Sequence, residues 1–120
     1  LCGIRQTFPQ LPATYLRIQN ENPENDVFLS AVSVWEIAVK HALWRLPLAD
    51  PPPVYIPRER EKHGISSLSL SEAAALELGQ LPSVHQDPFD RMLVCQARSL
   101  DLVLLTPDPL IRAYPVATAW

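Results

Sequence analysis

The amino-acid sequence predicts an α/β fold, a parallel β-sheet with helices over its faces. Three observations predict it. Val27-Phe28-Leu29 and Leu102-Val103-Leu104-Leu105 are short, continuous apolar runs of the length of buried strands. Segments with apolar residues at helical spacing adjoin both, from Ala31 to Trp44 and from Pro88 to Leu100. Strand-like and helix-like segments alternate along the chain, the order that builds a sheet covered by helices.

Each element has a local reason. Leu11-Pro12 to about Asn20 reads as a helix with proline in its first turn, ended by Pro23. Val27 to Leu29 is a strand. Ala31, Val34, Trp35, Ala38 and Ala42 recur at helical spacing and predict a helix to about Trp44. Arg45 to Pro53 is a loop, because Pro51-Pro52-Pro53 cannot continue that helix. Tyr55 to His63 is a helix with Gly64 as its C′ residue. Ile65 to Leu70 alternates apolar residues with serine, as a strand does. Ser71-Glu72 opens a short helix to Leu78, with Gly79 just past its end. Pro88 to Leu100 is a helix with Phe89, Leu93, Ala97 and Leu100 on its apolar face. Leu102 to Leu105 is a buried strand, Asp108-Pro109 starts one or two helical turns, and Val116 to Trp120 is a last strand.

The composition bounds the function. At 120 residues the expectation is a single domain over 1–120, with 1–11 an atypical N-terminal segment. The 48% hydrophobic and 19% charged residues are a globular balance. No apolar run approaches the roughly eighteen residues of a membrane span, and the opening Leu1-Cys2-Gly3-Ile4 does not read as a signal peptide. A net charge of −3 argues against coating nucleic acid by bulk electrostatics but leaves room for a carboxylate-based nuclease. Cys2 and Cys95 form no metal-spaced pair and read as free thiols in a reducing cytoplasm. Trp35, Trp44 and Trp120 read as core or interface aromatics, and Arg58, Arg60 and Lys62, interleaved with Glu59 and Glu61, as a solvated face.

Three acids share one predicted address. Glu36 and Asp90 fall in the first turns of helices, and Asp108 follows the Leu102–Leu105 strand. Residues just beyond the carboxyl ends of parallel strands converge on one crevice. Carboxylates gathered there repel one another unless a hard cation such as Mg²⁺ or Mn²⁺ lies between them. Each acid also has a purely structural reading. Ser33-Val34-Trp35-Glu36 fits a capping box, and Glu36 with Lys40 fits an i, i+4 pair on a solvated face. Asp87-Pro88-Phe89-Asp90 fits an N-cap followed by an acid that complements the helix dipole, and Asp108-Pro109 fits a plain cap.

The wording of three blocks resembles the PIN-domain ribonucleases, specifically the VapC-type toxins of type II toxin–antitoxin systems. Val27-Phe28-Leu29-Ser30-Ala31-Val32-Ser33-Val34-Trp35-Glu36-Ile37-Ala38, continuing to Leu48, is similar to the family's second strand and acidic helix. His85-Gln86-Asp87-Pro88-Phe89-Asp90-Arg91 resembles its H-x-D-P-F-D-R block, and Leu104-Leu105-Thr106-Pro107-Asp108 its block of strand, threonine and acid. The resemblance implies that Glu36, Asp90 and Asp108 are the catalytic, metal-holding acids, with Thr106, Ser33 and Arg91 as accessory groups. It also implies Mg²⁺ or Mn²⁺ as cofactor, a structured RNA as substrate, a cognate antitoxin, a homodimer and no membrane. The family's first strand lies mid-sheet and ends in Asp-Thr, yet Leu1 to Gln19 contains no Asp or Glu, and Glu21, Glu24 and Asp26 come too late. The sequence therefore predicts a first strand missing or remodelled, and a ribonuclease whose activity is impaired. The alternative is an inactive PIN-like domain that only binds an antitoxin or another copy of itself.

Overall fold

The computed structural model describes residues 13–19, 26–84 and 86–120. Its elements are β1 (Tyr15–Ile18), β2 (Val27–Ser30), α1 (Ala31–Ala42), α2 (Pro52–Lys62), β3 (Ser66–Leu68) and α3 (Glu72–Leu76). A 3₁₀ turn (Glu77–Gln80), α4 (Pro88–Leu100), β4 (Leu102–Leu105), α5 (Pro109–Arg112) and β5 (Thr118–Ala119) complete it. The five strands form one sheet in the order β3-β2-β1-β4-β5. The architecture is α/β, a mixed sheet with parallel strand pairs flanked by helices, consistent with a PIN-like fold.

The departure from the predicted parallel sheet lies in β1. The helix expected from Leu11 to Asn20 is not present where this segment is described: Tyr15–Ile18 is a strand at the centre of the sheet. It runs antiparallel to both neighbours, with Leu16 opposite Phe28 on one side and Leu104 on the other. Pairing on both flanks satisfies the backbone N–H and C=O groups of a buried segment in a way no lone helical turn could. The sheet is therefore mixed. β2 is parallel to β3 and β4 to β5, and since β1 opposes both β2 and β4, those four strands point the same way.

The period-two alternation divides the core. Tyr15, Val27, Leu29, Val103 and Leu105 face one layer, packed with Ile37 of α1 and Tyr55 and Ile56 of α2. Leu16, Leu102 and Leu104 face the other, packed with Leu93, Val94 and Ala97 of α4, Ile111 and Tyr114. Leu16 and Leu104 are completely buried, worth about 1.5–3 kcal/mol each in transfer free energy.

Other expectations hold or shift in detail. α2 begins at Pro52, and Gly64 follows its end at φ +67°, the left-handed geometry expected of a C′ residue. Gly79 lies within the 3₁₀ turn and not past a helix end. The α1 face expected to be buried is wrong. Ala31, Trp35, Ala38 and Ala42 are exposed, and Val32, Ser33 and Ile37 are the buried residues, because β2 runs directly into the helix and fixes its rotation. Trp35 is 58%, Trp44 95% and Trp120 39% exposed, so none is a core residue. Cys95 is a buried free thiol. Leu1–Ile4, Cys2, Glu21, Glu24 and His85 lie outside the described residues. Among the described residues no helix is long and apolar enough to cross a membrane.

Candidate active site

Because β2 and β4 point the same way, Ser30 and Leu105 end at one edge of the sheet, and the elements that follow them start there. The reversed β1 brings its beginning to that edge, so Ala13 and Thr14 arrive there and no carboxylate does. Ser33 is buried and its Oγ donates to the Thr14 carbonyl at 3.3 Å. The expected Ser33–Glu36 capping box does not form. α1 starts three residues earlier, and Ser30 is its N-cap, accepting from the Val32 amide at 3.0 Å.

Glu36 consequently sits in the second turn of α1 and not the first. Its carboxylate is 13% exposed and meets Lys40 Nζ at 2.8 Å, the ammonium side chain being 43% exposed. The i, i+4 pair exists, but its acid is not on a solvated face: Trp35, the preceding residue, packs edge-on against Phe89 of α4 at 4.7 Å between ring centroids. On α4, Asp87 is the N-cap, and its Oδ1 accepts from the Phe89 amide at 2.8 Å and the Asp90 amide at 3.1 Å. Asp90 follows in the first helical turn, half-buried.

One cation feels all three of these acids. The hydrogen bond to Glu36 holds the Lys40 pKa above its ordinary value against the opposing effect of partial burial, and Asp87 and Asp90 add their charges from α4. Glu36 and Asp90, carried by different helices, therefore lie within electrostatic reach of a single ammonium. Asp108 is half-buried and caps α5, its Oδ1 accepting from the Leu110 amide at 2.9 Å. Thr106 is buried, and its Oγ1 accepts from the Asp108 amide at 3.1 Å, which fixes the turn after β4. Arg91 donates to the Pro82 carbonyl at 3.0 Å and to the Tyr114 hydroxyl at 3.2 Å, tying α4 to the loop before it and to the segment after α5.

Among the described residues, no three of His, Cys, Asp and Glu gather closely enough to hold a metal ion. Mg²⁺ does not require such a cage. It is commonly held by one or two carboxylates, keeps several waters and takes the remaining oxygens from substrate phosphates. Glu36 and Asp90 have the hard oxygen donors that such binding uses, and the charge of each reaches Lys40. An open apolar hollow of about 470 Å³ lies elsewhere, lined by Ile18, Phe28, Leu68 and Leu100 among others, and none of the three predicted acids reaches it.

Reasoning from sequence missed the tie between the two acid-bearing helices. Ser30 Oγ, completely buried, donates to Gln96 Oε1 of α4 at 2.5 Å, and Gln96 Nε2 donates to the Ser69 carbonyl at 3.0 Å. The signal was a lone glutamine among Val94, Cys95 and Ala97, a polar residue that burial would oblige to find partners.

No family model matches the chain. Over 53 residues it is 38% identical to a protein named ribonuclease VapC16 from Mycobacterium tuberculosis (strain ATCC 25618 / H37Rv). That stretch covers 44% of this chain and 38% of the relative, well under half of either.

Proposed function

We propose that this protein is a VapC-type ribonuclease of the PIN class: a Mg²⁺- or Mn²⁺-dependent endoribonuclease that cuts a structured RNA. The observation that carries the reading is the 2.8 Å pairing of Glu36 with Lys40, an ammonium that also feels the charge of Asp90 on the neighbouring helix, in a chain 38% identical over 53 residues to a protein named a ribonuclease. On this reading residues 1–120 are one PIN-like domain, cytoplasmic, held in check by a cognate antitoxin and acting as a homodimer. Glu36 and Asp90 hold the cation, and Asp108 is the third acid of the same edge. Ser33 and Thr106 steady that edge through Thr14 and Asp108, and Arg91 holds α4 in place through the Pro82 carbonyl and the Tyr114 hydroxyl.

When bound, the cation shields the charge of the phosphodiester and makes a bound water more acidic. The chain's own contribution is to carry two hard oxygen donors, Glu36 on α1 and Asp90 on α4, that would hold the ion and leave its other positions to water and substrate oxygens. The chain uses no protein nucleophile. Because Leu1 to Gln19 holds no Asp or Glu, where the resembling family carries its first acid, the cation is held less tightly than by four carboxylates, and cutting is slow.

Incubating the protein with a mixture of structured RNAs and Mn²⁺ tests the reading. Cutting that stops on adding a chelator, and is absent in Asp90→Asn and Glu36→Gln, is expected. Absence of cutting at any Mn²⁺ concentration, or cutting that persists in both variants, contradicts it.

A further inference from the structure

Lys40 is the cation that this site carries within its own chain. Its Nζ stands 2.8 Å from Glu36 Oε2, one helical turn along α1, and the charges of Asp87 and Asp90 reach it from α4, which packs against α1. No other cationic group pairs with Glu36 among the described residues. The ammonium thus pairs with Glu36 and feels the charge of Asp90, the two carboxylates assigned above to a divalent ion. It is also free to leave. Lys40 is 43% exposed, its stem has four rotatable carbons, and a solvent-bordering pair of this kind contributes little to the stability of the fold.

We propose that Lys40 is a built-in counter-ion that competes with divalent cations for Glu36 and Asp90, so that the site loads metal only as the ammonium swings away. This rests on the assignment of Glu36 and Asp90 as cation ligands. The competition follows from charge. While the ammonium is in place, an incoming Mn²⁺ meets a carboxylate already neutralised and a positive neighbour a few ångströms off. With the ammonium gone it meets an uncompensated Glu36, with the charge of Asp90 reaching the same place from α4. Lys40 is then a positioning residue that keeps the acids together in the absence of metal and sets the concentration at which metal replaces it. A displaced ammonium at the rim of the site is well placed to receive a phosphate oxygen, which would couple loading of the ion to arrival of an anionic substrate.

Calorimetric titration of Mn²⁺ into the full chain and three variants decides the matter, with circular dichroism as the check on folding. Lys40→Met is expected to bind Mn²⁺ about tenfold more tightly than the parent. Lys40→Arg, which keeps the charge and can still pair with Glu36, is expected to bind as the parent does. Adding Glu36→Gln to Lys40→Met is expected to abolish the gain. Equal or weaker Mn²⁺ binding by Lys40→Met, with binding still dependent on Glu36, overturns the competition and leaves the ribonuclease reading standing. Absence of carboxylate-dependent binding in the parent and in Lys40→Met overturns both.

Discussion

Removing the buried contact between Ser30 and Gln96 tests how the two acid-bearing helices are held. Ser30 does two jobs: it caps α1 through the Val32 amide, and its hydroxyl donates to Gln96 of α4. Ser30→Ala loses the cap, about 1 kcal/mol, and strands the Gln96 oxygen in a site with no access to water, a further ~1–3 kcal/mol. Gln96→Leu strands the Ser30 hydroxyl at a similar cost of about 1–3 kcal/mol. The Ser69 carbonyl it also releases belongs to an exposed residue and can turn to water. In the double variant neither group is left without a partner, and little beyond the lost cap remains. Urea unfolding of the four proteins should therefore give a coupling energy of about 1–3 kcal/mol, the double variant being more stable than the sum of the singles predicts. Additivity to within about 0.5 kcal/mol would show that the two residues do not meet in solution. It would also remove the physical reason for Glu36 and Asp90 keeping a fixed spacing.

Other outcomes follow from single residues. Leu16→Ala, at the centre of the sheet, should cost roughly 2–5 kcal/mol in denaturant unfolding; a loss below about 1 kcal/mol would contradict β1 as a central strand. Trp44 has φ +59° and is almost wholly exposed, so Trp44→Gly should raise stability by about 0.5–1 kcal/mol as left-handed strain is relieved, measured by the same unfolding curves. Burial, with the neighbouring Tyr55 adding to it, pushes the Tyr15 phenol up. The folded state therefore keeps a proton that the unfolded chain loses above about pH 10, and stability should fall as pH rises past that point, with phenolate absorbance of Tyr15 appearing only on unfolding. Burial likewise raises the Cys95 thiol pKa, so in a Cys2→Ser background a thiol reagent should label the native protein far more slowly than the urea-unfolded one.

Much of this fold is written locally, and the part that is not explains what the sequence concealed. β2 and β4 announce themselves as apolar runs, and α4 carries its own cap, its N1 proline and its left-handed end at Asp101. β1 has no such signature. Tyr15-Leu16-Arg17-Ile18 is too short for a period to be read, and the prolines at either side suggest helix boundaries. What makes it a strand is pairing with Val27–Phe28 on one side and Leu102–Leu105 on the other, which no local pattern encodes. Its direction follows from the connection to β2. The residues from 19 to 26 are too few for the crossover a parallel pair would need and sufficient for an antiparallel one. At the site, the acids were legible as residues at strand-to-helix junctions, and Asp87, Asp90 and Asp108 occupy the helix positions expected of them. The rotation of α1 was not legible, since it depends on Ser30, and not Ser33, starting the helix. For that reason the role of Lys40 between two helices could not be read from its i, i+4 spacing alone.

The central claim is that Glu36 and Asp90 are close enough to share one divalent ion. Crystals soaked in Mn²⁺ and measured at the manganese absorption edge test it directly. One anomalous peak is expected about 2.1 Å from a carboxylate oxygen of each residue, with Lys40 Nζ turned away from Glu36. A peak that touches neither carboxylate, or a soaked crystal in which the ammonium stays on Glu36 with no metal beside it, would contradict it.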